Sequence, residues 1–214
     1  MMRLLWMPGT TATVACAALE ETGAPYELVE VERHDRADPP ELRAVDPHGL
    51  VPALLDGDLR LHEPAAIILH LGDRFPESPL APPVGTPRRA EYYRWLAYLA
   101  NTLHAAFTRW HAPRHLGDDG ELGRALRAAG ERDLHTCFDH VDAQLAGRDT
   151  LVPGGFTGAD LLLHMLASPN WTLDLQPAVF SRRQVAALHA AVDARPAVQR
   201  MKAIHGPDRG SAGA

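Results

Sequence analysis

A chain of 214 residues, 46% hydrophobic and 22% charged, has the make-up of an ordinary globular protein with room for one large or two small domains. A formal net charge of −6 without a local Lys/Arg cluster argues against nucleic-acid binding, and no apolar stretch approaches the roughly 20 residues of a membrane span. The N-terminus lacks a secretory pattern, and two distant cysteines with no CxxC partner fit a reducing compartment, so a cytoplasmic location is expected.

Taken in order, residues 3–7 predict a strand stopped by Pro8-Gly9. Residues 11–22 predict a helix with Thr10 or Thr11 as N-cap and Gly23 as its stop. A second strand follows over 26–31, then a short helix over 39–45 ended by Asp46-Pro47. In the stretch from Gly49 to Glu63, Pro52 stands between Val51 and an apolar run, as an edge proline or as a cis X-Pro bond. Asp56-Gly57 supplies turn chemistry between two short apolar segments, which predicts a hairpin. A helix from Pro64 to about Arg74 completes a βαβαββα order, an α/β layer on one mixed sheet.

Residues 76–87 pack five prolines and a glycine into twelve positions and read as a semi-rigid linker. No strand pattern follows. Residues 88–111 carry Tyr92, Trp95, Leu96, Leu99, Leu103, Phe107 and Trp110 at helical spacing, and 121–146 repeat the pattern with Leu122, Leu126, Leu134, Phe138, Val141 and Leu145. Phe156-Thr157-Gly158-Ala159-Asp160-Leu161 has the signature of a capping box with Phe156 as staple. Helices over 181–193 and 196–204 finish the bundle. The division expected is an α/β domain over 1–78, a linker over 79–87, an all-helical domain over 88–206 and a flexible tail over 207–214.

Several pieces, in their order and spacing, resemble the glutathione S-transferase family, nearest to its bacterial beta-type branch. They are Pro8-Gly9, the run from Asp46 to Leu54, Glu63, Trp95-Leu96, Asn101 to His104, Phe156 to Asp160 and Arg195 to Val198. The resemblance covers roughly residues 3–206 and implies a thioredoxin-like βαβαββα domain followed by a helical bundle domain. It also implies a homodimer, with glutathione as cosubstrate and a small hydrophobic electrophile as partner. The chemistry implied is attack by the glutathione thiolate, the nucleophilic form of the thiol. Alternatives on the same scaffold are a glutathione-dependent isomerase, peroxidase or dehalogenase, or a protein that kept the fold as a ligand-binding or interaction module.

By the same resemblance Val51 and Pro52 would hold the cysteinyl backbone, Glu63 the γ-glutamyl amino group, and Asn101 and His104 would line the site from the helical half. The beta-type motif after the first strand reads Ser-Pro-Gly-Ala-Cys-Ser, and its cysteine aligns with Thr11. Thr11, or its neighbour Thr10, is therefore the candidate donor to the sulfur, and helix capping is the competing role for both. The chain departs from the family again at Pro64, which has no N–H for the γ-glutamyl carboxylate. Further departures are Leu50, where Lys or Gln is common, and Ala105, where a lysine follows the histidine. Tyr98, Thr108, Trp110, His111 and His115 are candidates for an acceptor pocket or for core. None of the twelve histidines forms a carboxylate-supported metal motif in sequence, His111 and His115 being the single i, i+4 pair, so no metal is expected.

Overall fold

The computed structural model describes residues 1–31, 40–117 and 120–205, without the side chains at 41 and 114–116. Four strands, β1 (Met2–Trp6), β2 (Tyr26–Glu30), β3 (Ala53–Asp56) and β4 (Leu59–His62), form one sheet in the order β2-β1-β3-β4. β1 runs parallel to β2 and antiparallel to β3, which pairs antiparallel with β4. The apolar Leu4, Leu5 and Trp6 are buried consecutively, as a central strand covered on both faces requires.

Helix α1 (Ala12–Thr22) is rich in alanine and packs closely, with everything from Val14 to Leu19 buried. It ends at Gly23 in the left-handed conformation (φ 65°), which glycine adopts without a Cβ clash. Short α2 (Pro40–Arg43) and α3 (Pro64–Arg74) complete this layer. The predicted hairpin turn is displaced by one residue. Asp56 is still paired in the strand, opposite Leu59, and the turn is Gly57-Asp58. The carboxylate of Asp56 receives both His70 (2.9 Å) and Arg74 (2.5 Å) from α3, which keeps it in the ladder.

The remainder is helical: α4 (Pro87–Tyr98), α5 (His104–Leu116), α6 (Glu121–Gln144), α7 (Gly158–Ala167), α8 (Pro169–Thr172), α9 (Gln176–Phe180), α10 (Arg183–Asp193) and α11 (Pro196–His205). The stripe from Tyr92 to Trp110 is buried throughout, but its helix is not uniform, because residues Leu99–Leu103 form a π-helical turn between α4 and α5. On α6 the predicted stripe fails at its start. Leu122 is exposed, and Gly123 and Gly130 are the buried positions. A Cβ at Gly130 would run into the backbone of Trp110, so α5 and α6 cross where only hydrogen fits. The helices over 169–180 carry no long apolar periodicity, so the sequence pattern does not predict them. The tail from 206 lies outside the described residues.

The proline-rich segment is packed rather than spaced away. Leu80 is fully buried, its carbonyl accepts from the Gly158 N–H (2.8 Å), and the Pro82 carbonyl accepts from Arg89 (2.9 Å). The larger apolar cluster runs from Leu4 and Leu19 through Ile68 and Trp95 to Leu163 and Val198, joining the sheet layer to the bundle, and a smaller one gathers Leu5, Val31, Leu42, Val45, Ala53 and Leu55.

Candidate functional site

The cleft that gathers the predicted residues lies where α1 and α3 meet the π turn and α7. About 380 Å³ of open space is bounded by Thr11, Glu63, Pro64, Ala65, Leu99, Ala100, Asn101, His104, Leu162 and Met165. Thr11, Glu63 and Pro64 come from the sheet layer, Asn101 and His104 from the bundle, so neither half forms it alone.

The two threonines divide the roles left open by the sequence. The Thr10 hydroxyl accepts from the Ala12 N–H (3.3 Å) and donates to the Met7 carbonyl (2.7 Å), which makes it the residue that satisfies the start of α1. The Thr11 side chain makes no capping bond; its hydroxyl donates to the Val51 carbonyl (3.0 Å) and borders the cleft. Val51 and Pro52 are joined by a cis peptide, with Val51 half-buried beside Thr11.

Asp46 builds the approach to Val51. Its buried carboxylate accepts from the His48 and Leu50 N–H groups, both at 2.9 Å. Burial would raise its pKa, but these two bonds, with His62 and His48 nearby, hold the carboxyl below its ordinary range. In the sequence Asp46 stands out only within the run from Asp46 to Leu54, although an Asp opening a turn carries this signal. Leu50 projects outward, 53% exposed.

Glu63 precedes α3 with φ 71°, a left-handed conformation that a non-glycine residue adopts only when its surroundings impose it. That geometry presents an exposed carboxylate at the mouth of the cleft, 3.8 Å from His62. Pro64 follows as the first residue of α3, where its missing N–H costs the helix nothing.

Across the cleft, the π turn shifts Asn101 and His104 relative to a uniform helix, as such turns often do at functional sites. Burial pushes the His104 imidazole below its ordinary pKa, with Glu63 opposing, so the ring is neutral at pH 7. Its ring meets Trp171 edge-on at 5.1 Å. Leu162 and Met165 of α7 form the apolar floor, a contribution no spacing in the sequence signals. Among the described residues, no lysine or arginine borders the cleft.

The proposed acceptor-pocket residues lie elsewhere. Trp110 is fully buried between Phe107 and His111, under the Arg127 guanidinium, and belongs to the core. His111 stacks on Phe107, and Tyr98 donates to the Cys137 carbonyl (3.4 Å). Thr108 is exposed and bonds the His104 carbonyl, and the side chain of His115 lies outside the described residues. The apolar Ala105 is half-buried beside His104.

Comparison with known proteins gives a consistent result. Residues 7–79 match the family described as glutathione S-transferase, N-terminal domain. The chain is 31% identical over 204 residues to glutathione S-transferase GstA of Escherichia coli O157:H7, covering 92% of this chain and 96% of that protein. Among solved structures, a sphingomonad glutathione S-transferase complexed with glutathione superposes with a TM-score of 0.79 at 28% identity, over 95% of this chain and 98% of that one. A bacterial beta-class glutathione S-transferase from Sphingomonas chungbukensis does so with a TM-score of 0.78 at 25% identity, over 95% and 98%.

Proposed function

The chain belongs to the glutathione S-transferase family, and from that premise we propose that its cleft binds glutathione and directs the thiolate at a small hydrophobic electrophile. The observation that carries this reading is the convergence of Thr11, Glu63, Asn101 and His104 on one cleft, with the Val51 carbonyl bonded to the Thr11 hydroxyl.

In this reading the cysteinyl N–H of glutathione donates to the Val51 carbonyl and displaces the Thr11 hydroxyl. The freed hydroxyl turns to the sulfur and, with the positive end of α1, stabilises the thiolate. One hydrogen bond replaces another at Val51, and the new bond to sulfur is charge-assisted and stronger. Glu63 receives the γ-glutamyl amino group. His104, neutral, and Asn101 bond polar groups of the tripeptide. The sulfur, its proton having passed to solvent, then forms a bond to the electrophilic carbon as the leaving group departs with its electron pair, or as the π pair shifts to the neighbouring atom and takes a proton from solvent.

Pro64 favours a second reading. It offers no N–H to the γ-glutamyl carboxylate, and with Leu50 and Ala105 it leaves the cleft without the usual anion donors. On that reading the protein is a catalytically impaired ligand-binding module. Calorimetric titration with glutathione, followed by conjugation of a model aromatic electrophile, separates the two. Measurable binding with turnover supports the transferase, and no binding at millimolar glutathione sinks it. The proposal includes a cytoplasmic homodimer, an α/β domain to residue 78 and a helical domain from residue 88. Elution as a monomer across micromolar concentrations would remove the dimer from it.

A further inference from the structure

On the far side of α7 from the cleft, a cluster of side chains lies outside everything invoked above. His164 of α7 faces His189 and Asp193 of α10, which stand at i and i+4 on one side of that helix. One ligand atom from each falls within 4.8 Å of the others. His164 is 5% exposed, and its Nε2 lies 3.0 Å from the Asp193 carboxylate. The His164 and His189 rings stack at 4.3 Å and 22°, and Phe180 packs on His189 at 4.9 Å, so both imidazoles are fixed in orientation.

Two features of this cluster want a cation. The Nε2 of His189 is shut away from solvent without a hydrogen-bond partner, although it sits beside a carboxylate and a second imidazole. Buried polar atoms of this kind call for an explanation, and a bound ion is one of the few. In addition, the Lys202 ammonium of α11 is paired with the Asp193 carboxylate, placing a positive charge at the edge of the cluster. We propose that His164, His189 and Asp193 form a site for a borderline divalent cation such as zinc or cobalt, with Lys202 as the competing charge that fills it in the ion's absence.

The donor set fits that class. Two imidazoles and one carboxylate suit zinc and its neighbours better than calcium or magnesium, which prefer all-oxygen shells. Three protein ligands leave a fourth position for water. Lys202 is long, flexible and 29% exposed, so it can swing to solvent when an ion enters. None of the three ligands borders the glutathione cleft, so the site would act on the stability of the α7–α10 contact rather than on the sulfur.

The test uses full-length protein without a polyhistidine tag, stripped with chelator and desalted. Cobalt is followed by the visible bands of the four-coordinate ion, and zinc by calorimetry and by its effect on melting temperature. The wild type should bind a single equivalent. His189→Gln should weaken binding by more than the roughly 10–100-fold that losing even an outer-shell partner costs, and Asp193→Asn should do the same. Lys202→Gln should tighten it, because the competitor is gone. Zinc should raise the melting temperature of the wild type and of Lys202→Gln but not of His189→Gln. The site would be overturned if His189→Gln, shown folded by circular dichroism, bound either ion as well as the wild type. It would fall equally if neither ion bound, which would leave a water as the partner of His189.

Discussion

Replacing Thr11 by Val removes one hydroxyl at nearly constant volume and separates the two tasks given to it. In the free protein the loss is the 3.0 Å bond to the Val51 carbonyl, an ordinary half-buried hydrogen bond worth about 1 kcal/mol of stability. At a pH well below the bound thiol pKa, glutathione affinity should change by no more than about 1 kcal/mol, the bond that the wild type gives up on binding, whereas above it affinity falls with the lost bond to the thiolate. The effect on the bound thiol is larger. A hydrogen bond to a charged group is worth about 1.5–3 kcal/mol, and about 1.4 kcal/mol is one pKa unit, so the bound thiol should titrate about one to two units higher.

That shift gives a signature in pH. Well below the thiol pKa, kcat/KM for a model electrophile should fall about 10- to 100-fold, in step with the lost thiolate fraction. Toward alkaline pH the gap should close, because both enzymes then hold thiolate. Thr11→Ser, which keeps the hydroxyl, should behave like the wild type. The ultraviolet absorbance of bound thiolate, titrated in both proteins, measures the same pKa directly. A rate loss equal at every pH, or an unshifted absorbance titration, would refute activation by Thr11 and leave it a purely structural residue.

Pro64→Ser restores an N–H and a hydroxyl at the start of α3, and one good bond to the γ-glutamyl carboxylate should tighten glutathione about tenfold or more by calorimetry. Affinity unchanged would mean that Pro64 is not what weakens the site. Asp160→Ala should cost about 2–6 kcal/mol in urea unfolding, because the buried carboxylate accepts from both the Leu151 and Thr157 N–H groups, each about 1–3 kcal/mol when orphaned. Thr157→Ala loses the contact from the Ala159 N–H (3.3 Å) and the hydroxyl's bond to the Asp160 carboxylate (3.1 Å) but leaves that carboxylate both backbone donors, so it should cost about 1–2 kcal/mol, and a loss larger than that of Asp160→Ala would contradict this account of the cap. Gly130→Ala gains up to about 1 kcal/mol of helix propensity but drives a Cβ into the Trp110 backbone. Overpacking of that kind costs about 1–3 kcal/mol, so a variant more stable than wild type would show that α5 and α6 part easily.

The parts of the fold legible in the sequence are those where one residue's local chemistry decides the outcome. Gly23 ends α1 because its backbone must turn left-handed, Pro64 opens α3 because no N–H is needed there, and Thr157 with Asp160 writes the start of α7. What stayed hidden depends on contacts between elements. The hairpin turn falls at Gly57-Asp58 because α3 holds Asp56 through His70 and Arg74, a tie across the fold. Leu122 is exposed while Gly123 and Gly130 are buried, and α6 meets α5 at Gly130, which an apolar stripe cannot reveal. The π turn interrupts an unbroken helical period, so periodicity alone reads through it. The site behaves in the same way. Val51, Glu63 and His104 are candidates by family motif, whereas the different hydroxyl partners of Thr10 and Thr11 show only in the fold, and the His164–His189–Asp193 cluster needs two helices brought together.

Helix α7 is where stability and chemistry meet. Its capping box fixes its start, and Gly158 lets that start press against Ile68 of α3, so close that any Cβ would strike it. Leu162 and Met165 then form the cleft floor, one and two turns further on. Because half of the cleft comes from each layer, its geometry depends on how firmly the layers are held together. Arg195 grips Glu21 with two bonds (2.5 and 2.8 Å) and covers the Phe156 ring at 3.5 Å, Arg200 pairs with Glu20, and Arg89 with Asp73. Each of these pairs has one partner largely buried and the other partly open to solvent, and the buried apolar core beneath them supplies most of the free energy. Their contribution is orientation. They tie α1 and α3, which carry Thr11 and Glu63, to a bundle whose π turn carries His104. Loosening α7 would therefore lower catalysis before it unfolded the protein, since a cleft built from two layers loses its geometry as soon as they shift.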